Sequence, residues 1–214
     1  MGLLPTGILG EINGSVGPVV TYLLNGQNVI RAKGKGSTKP PSLAQLANRQ
    51  QMKVLTVFFK KATKFLKRGF GHLALGTKHN YHNLAVSANK STAVLGEYPE
   101  QYIDYGKLTL SKGELAEAVH PAVERMENGL KFTWDCPPSL EFKFHTDQVM
   151  MLAYSPLLNR SVCIDSGAKR RAEQDVLPVS SDLLKEQLEV YISFVSDDRL
   201  QAADSIYLGT LSAI

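Results

Sequence analysis

Cysteine is scarce in these 214 residues: Cys136 and Cys163 are the two present. That excludes a disulfide-stapled scaffold and a four-thiolate metal site, so an apolar core must hold the fold together. Long hydrophobic runs are missing as well. Stretches such as Val57-Phe58-Phe59 fall far short of the ~20 apolar residues that a membrane-spanning helix requires, which predicts no integral membrane segment. The amino end, Met1-Gly2-Leu3-Leu4-Pro5-Thr6, has no basic n-region and no apolar core of a secretory signal, and the expected location is cytoplasmic. Gly2 with Thr6 fits the loose myristoylation pattern, which is short enough to recur by chance.

Acid is nearly absent from the first third. Residues 1–78 hold twelve Lys and Arg against the single acid Glu11, a net of +11, whereas residues 79–214 hold twelve bases and nineteen acids, a net of −7. The overall +4 hides this polarity. Charge blocks of this kind accompany nucleic-acid, anionic-lipid or acidic-partner contacts, and they also let a chain dock on itself or on a second copy.

What is present falls into two textures. Val16 to Leu24 and Gln27 to Ala32 are β-prone runs flanking Asn25-Gly26, which predicts a hairpin with a type I′ turn. A basic loop, Gly34 to Lys39, follows and ends at Pro40-Pro41, which cannot continue a strand ladder. Ser42 with Gln45 forms a capping box. Met52, Leu55, Phe59, Ala62 and Leu66 then recur at helical spacing up to Gly69 and Gly71, predicting one long basic helix of about 40 Å. Residues 78–95 read ambiguously as a second short helix. From Lys107 the pattern becomes short strands between turns: Lys107 to Leu110, Leu130 to Trp134, Gln148 to Tyr154, Ser161 to Ile164, Gln174 to Leu177, Leu188 to Val195 and Ala203 to Gly209. In Leu188-Glu189-Val190-Tyr191-Ile192-Ser193-Phe194 apolar and polar residues alternate, as on a strand with one face inward and one outward.

The expected fold is therefore α+β: an N-terminal β-hairpin plus long basic helix over 1–106, then a seven-stranded antiparallel β-sandwich over 107–214. Val190 to Val195, a polar turn, and Ser205-Ile206-Tyr207-Leu208-Gly209 resemble the last hairpin of a fibronectin type III or immunoglobulin-like domain. The resemblance concerns fold alone. Trp134 precedes both cysteines, so the immunoglobulin Cys, Trp, Cys order is absent, and two free thiols are expected. The whole chain also resembles an uncharacterised bacterial family, a domain of unknown function, through Gly7-Ile8-Leu9-Gly10, Gly14-Ser15-Val16-Gly17-Pro18-Val19-Val20, Val29-Ile30-Arg31, Gln45 with Arg49, Ile103-Asp104-Tyr105, Leu110-Ser111-Lys112-Gly113 and Tyr207-Leu208-Gly209. That resemblance implies a bacterial source and no mechanism.

Candidate chemistry is thin. Gly34-Lys35-Gly36-Ser37-Thr38 lacks the spacing of a phosphate-binding P-loop and is not followed at once by a helix. His72, His79 and His82 have no Cys, Asp or Glu beside them to complete a metal site. There is no Gly-x-Ser-x-Gly elbow, and neither cysteine has a neighbouring histidine. Asp197-Asp198 and Glu124 with Glu127 fall where carboxylates are simply solvated. No catalytic residue, metal or cofactor is assigned. The remaining constellation is basic: Arg31, Lys33, Lys35 and Lys39 on hairpin and loop, then Arg49, Lys53, Lys60, Lys61, Lys64, Lys67 and Arg68 along the helix. These are the candidate contacts to an anionic partner. The expected function is a non-enzymatic binding or structural module, self-associating or held in a larger assembly of protein partners. The alternative is weakly sequence-specific nucleic-acid binding through the basic half.

Overall fold

A computed structural model describes residues 2–4, 13–24, 27–36, 39–139 and 141–213. The chain divides into two compact units, Met1–Ser42 and Leu43–Ile214. The first is an antiparallel sheet of β1 (Gly2–Leu4), β2 (Gly14–Val16), β3 (Val19–Leu24) and β4 (Gln27–Ala32) in the order β1-β4-β3-β2. The expected hairpin is there, with Leu24 opposite Gln27. Its turn residues, Asn25 and Gly26, lie outside the described residues, as do Gly7-Ile8-Leu9-Gly10 and Ser37-Thr38. Among the described side chains of this sheet only Thr21 and Val29 are buried, and Val16 is 73% exposed.

The second unit is mixed α+β. Helix α1 (Leu43–Lys61) starts directly after Ser42, where the capping box placed it, but it is not one long helix. The chain breaks at Ala62, and α2 (Thr63–Ala74) follows. The Thr63 hydroxyl donates to the carbonyls of Phe59 and Lys60, at 3.1 and 2.9 Å, and a hydroxyl bonded back to the preceding turn competes with the helical ladder. Nor do the two glycines stop α2. Gly69 is inside it because the chain at Leu110 and Ser111 comes so close that a Cβ would lie 2.6–2.7 Å from their atoms. The ambiguous stretch forms α3 (Tyr81–Asn89), whose first turn is capped by Asn80 Oδ1 accepting from the Asn83 amide at 2.8 Å. A short ladder of β5 (Val94–Leu95) and β6 (Tyr102–Ile103) comes next.

The remaining strands are β7 (Val119–Met126), β8 (Gly129–Asp135), β9 (Gln148–Ser155), β10 (Arg160–Ile164), β11 (Gln174–Pro178), β12 (Leu188–Val195) and β13 (Ile206–Leu211), with a single helical turn, α4 (Ser181–Leu184), before β12. They form two antiparallel sheets, ordered β11-β8-β7 and β10-β9-β12-β13. Six of the expected strands overlap these. Lys107 to Leu110 is not a strand; it runs from a 3-10 turn into extended chain whose Leu110 amide donates to Ser205 Oγ. In its place stands β7. Pro121 disguised it: β7 is an edge strand with a register shift between Val119 and Ala122, a position where a missing amide is tolerated.

Trp134, Phe132 and Leu130 on β8 pack with Val149 and Met151 on β9 and with Val190, Ile192 and Phe194 on β12, so the two sheets share one core. A second core lies on the opposite face of the four-stranded sheet. There Met150, Leu152, Tyr154, Tyr191 and Val195 meet Leu55, Phe58, Phe59, Phe65, Leu66 and Phe70 of α1 and α2. Sequence texture changes at 107, yet this core takes residues from both sides of that position. It also corrects the expected inward and outward faces of β12, which is buried along its whole length. Its polar residues are satisfied internally: the Tyr191 hydroxyl donates to the Tyr105 carbonyl at 2.8 Å and Ser193 Oγ to that of Ala203 at 3.0 Å. The Glu189 carboxylate accepts from Tyr207 and Thr210.

Candidate functional site

Leu55, Phe58 and Phe59 anchor α1 to the sheet, and the 3.6-residue period therefore turns Arg49, Lys53 and Lys60 outward on one side. All three are exposed, and so are Lys61, Lys64 and Lys67. Arg68 is half-buried and its Nη2 pairs with Asp165 Oδ2 at 3.3 Å. Residues 43–92 carry nine Lys and Arg and no acid. Part of this charge has an ordinary structural use, since Lys60 and Lys61 occupy the last turn of α1, where cations complement the helix dipole. The other four candidates belong to the first unit. Arg31 lies on β4 with its guanidinium carbon 6.0 Å from the centre of the Tyr22 ring, and Lys33, Lys35 and Lys39 follow on exposed chain.

Beside the basic face of α1 is a cleft of about 330 Å³, bounded by Gln50, Lys53 and Val57 on the helix and by Tyr102 on β6. Its floor is aromatic. Phe58 and Tyr154 meet edge to face with ring centres 4.8 Å apart, and Phe58 and Tyr105 at 5.9 Å. Burial pushes the Tyr105 and Tyr154 phenols above their ordinary range, and both are neutral at physiological pH. Tyr102 is 57% exposed and Val57 43%. No motif in the sequence marks this cleft. Three tyrosines in one short region of chain, Tyr98, Tyr102 and Tyr105, were the available signal.

Metal chemistry finds no cluster: among the described residues no three His, Cys, Asp or Glu side chains converge. His72 lies on α2 and burial holds its imidazole below the usual 6.5. His82 sits on α3, edge-on to Phe59 at 5.8 Å. Cys136 and Cys163 are free thiols, as expected. Burial raises both, which disfavours the nucleophilic thiolate. Asp198 is spent on its own turn, accepting from Ser196 Oγ and the Leu200 amide. Glu124 and Glu127 are exposed.

One charged pair is wholly internal. Arg170, 1% exposed, donates to Asp147 Oδ2 at 3.2 Å and to the carbonyls of Ala116 and Glu117 at 2.7 and 3.1 Å. Its guanidinium stacks on Phe194 at 3.7 Å, and the Trp134 indole donates to the Arg170 carbonyl at 2.7 Å. This network ties β8, β12 and the segment before β7 together. Among the described residues no helix is long and apolar enough to cross a membrane.

No curated protein and no solved structure matches this chain. A family model does match over residues 11–209, nearly its full length, and on that coverage the chain belongs to a family of unknown function, DUF6266.

Proposed function

We propose that the protein is a non-enzymatic binding or structural module that associates with an acidic partner, either another copy of itself or a component of a larger assembly. The scaffold we assign is a fibronectin type III-like sandwich. Its support is a three-stranded and a four-stranded sheet, β11-β8-β7 and β10-β9-β12-β13, closing on one core, with the chain passing between sheets at β8 to β9, β10 to β11 and β11 to β12. The observation that carries the functional reading is the segregation of charge. The helical layer over 43–92 has no acid, while 97–214 has nineteen acids against eleven bases, so one copy offers complementary surfaces to another. The first unit adds support. It is a small sheet with edge strands of three residues and, among the described residues, few buried side chains, the kind of object that is marginal by itself. Sedimentation or light scattering across protein concentration and ionic strength tests this reading: association that weakens with salt is expected, and a monomer under all conditions removes the assembly version.

A second reading, weakly sequence-specific nucleic-acid binding, is favoured by the same acid-free layer, because Arg49, Lys53, Lys60, Lys61, Lys64 and Lys67 are all exposed. An electrophoretic shift assay at two salt concentrations tests it. Lys60, Lys61, Lys64 and Lys67 changed to Glu should weaken retardation, and no retardation of any DNA or RNA by the unaltered protein at low salt eliminates the reading.

A further inference from the structure

We infer that the cleft between α1 and β6 is a stacking subsite for one unpaired base of a single-stranded nucleic acid, with the flanking phosphate held by Lys53. The inference rests on the nucleic-acid reading above and gives it a location.

Four observations converge on this cleft. Its apolar floor, Phe58 with Tyr105 and Tyr154, excludes a strongly hydrated occupant and suits a planar ring. At its mouth Tyr102 is more than half exposed, unusual for an aromatic on a short strand, and Gly96 backs the ring closely: a Cβ there would lie 3.4 Å from it. A π-face held open in this way accepts any base regardless of identity. Gln50 lies three residues before Lys53 on the same helix, so an amide that both donates and accepts stands beside the cation. Volume agrees, since about 330 Å³ is at the small end of ligand clefts and fits one ring system instead of a duplex.

Charge decides the class of ligand. A quaternary ammonium, the other common guest of tyrosine-lined clefts, is disfavoured by Lys53 on the wall. An anion is drawn in, and the strand has somewhere to continue, because Arg49 and Lys60 share the outward side of α1 with Lys53 and span about 17 Å along its axis. The β6 side of the cleft, Tyr102, Ile103 and Tyr105, offers no cation, so Lys53 on the helix is the one positive group among the described residues that line it. A single strand would therefore run along α1 with one base turned into the cleft.

Fluorescence anisotropy with the full chain and a labelled ten-nucleotide oligothymidylate at low salt tests this, alongside an oligonucleotide of the same length with abasic sites. Tyr102→Ala should weaken binding about fivefold or more, Tyr102→Phe should not, and the abasic strand should bind wild type as weakly as Tyr102→Ala binds the intact one. Lys67→Glu, outside the cleft, should weaken both strands equally. If the intact strand binds wild type and Tyr102→Ala alike, the cleft is not the subsite while the nucleic-acid reading stands. If neither strand binds at all, both fail. Unchanged melting temperatures of the Tyr102 variants verify that folding is not what was lost.

Discussion

Arg170 and Asp147 meet at 3.2 Å with both side chains almost wholly shut away from water. Attraction in such a place is bought with desolvation, and its consequence lies in what happens when one partner goes. Arg170→Met strands a carboxylate and the carbonyls of Ala116 and Glu117, and should destabilise by about 3–5 kcal/mol in urea unfolding. The double variant Arg170→Met with Asp147→Leu should recover part of that loss, because no charge is left without its counter-ion.

The two glycines of α2 should respond to alanine with opposite signs. Gly71 has open space at its Cβ position, and Gly71→Ala should raise stability by about 0.5–1 kcal/mol through helix propensity. Gly69→Ala gains the same propensity but pushes a methyl into Ser111 and the Leu110 carbonyl, and should lower stability by about 1–3 kcal/mol. Thermal melts of the pair make the comparison.

Asn89 joins the end of α3 to the chain that follows β6. Its Nδ2 donates to the carbonyls of Ala85 and Thr109, at 2.8 and 2.7 Å, and its Oδ1 accepts from the Thr109 amide at 2.7 Å. Asn89→Ala should cost about 1–3 kcal/mol for each group left without a partner, read by denaturant unfolding.

His72 should confer a pH dependence. Its folded-state value lies below the 6.5 of the free side chain because of burial, so the unfolded chain takes up the proton first. Its contribution is fully present above pH 6.5 and is lost as the pH falls through the folded-state value. Wild type should therefore lose more stability than His72→Gln on acidification below 6.5, measured as the difference between their denaturation midpoints.

The strand pattern of the second unit was legible because β8 and β12 keep strict apolar alternation, and α1 because its cap and stripe agree. Three features were not. The break at Ala62 comes from a threonine hydroxyl bonding back to Phe59 and Lys60, which no apolar period reveals. β7 hides behind Pro121, which reads as a stop unless the strand is known to lie on an edge. The polar side of β12 looked like a water-facing surface, since Glu189, Tyr191 and Ser193 advertise solvent, and only tertiary partners reveal that it is buried, with Tyr105, Ala203, Tyr207 and Thr210 satisfying it. Of the candidate contacts, the sequence located every base on the helices but missed the tyrosine cleft, because its walls come from segments about fifty residues apart.

Strand β12 gives alternate side chains to two separate interiors, one under the helices and one between the sheets. Neither layer can be peeled away while the other persists, since loosening either exposes the strand common to both. The molecule from Leu43 onward should therefore open as a whole, its β12 amide protons the slowest to exchange with deuterated solvent, and the helices should not fray off a surviving all-strand remnant.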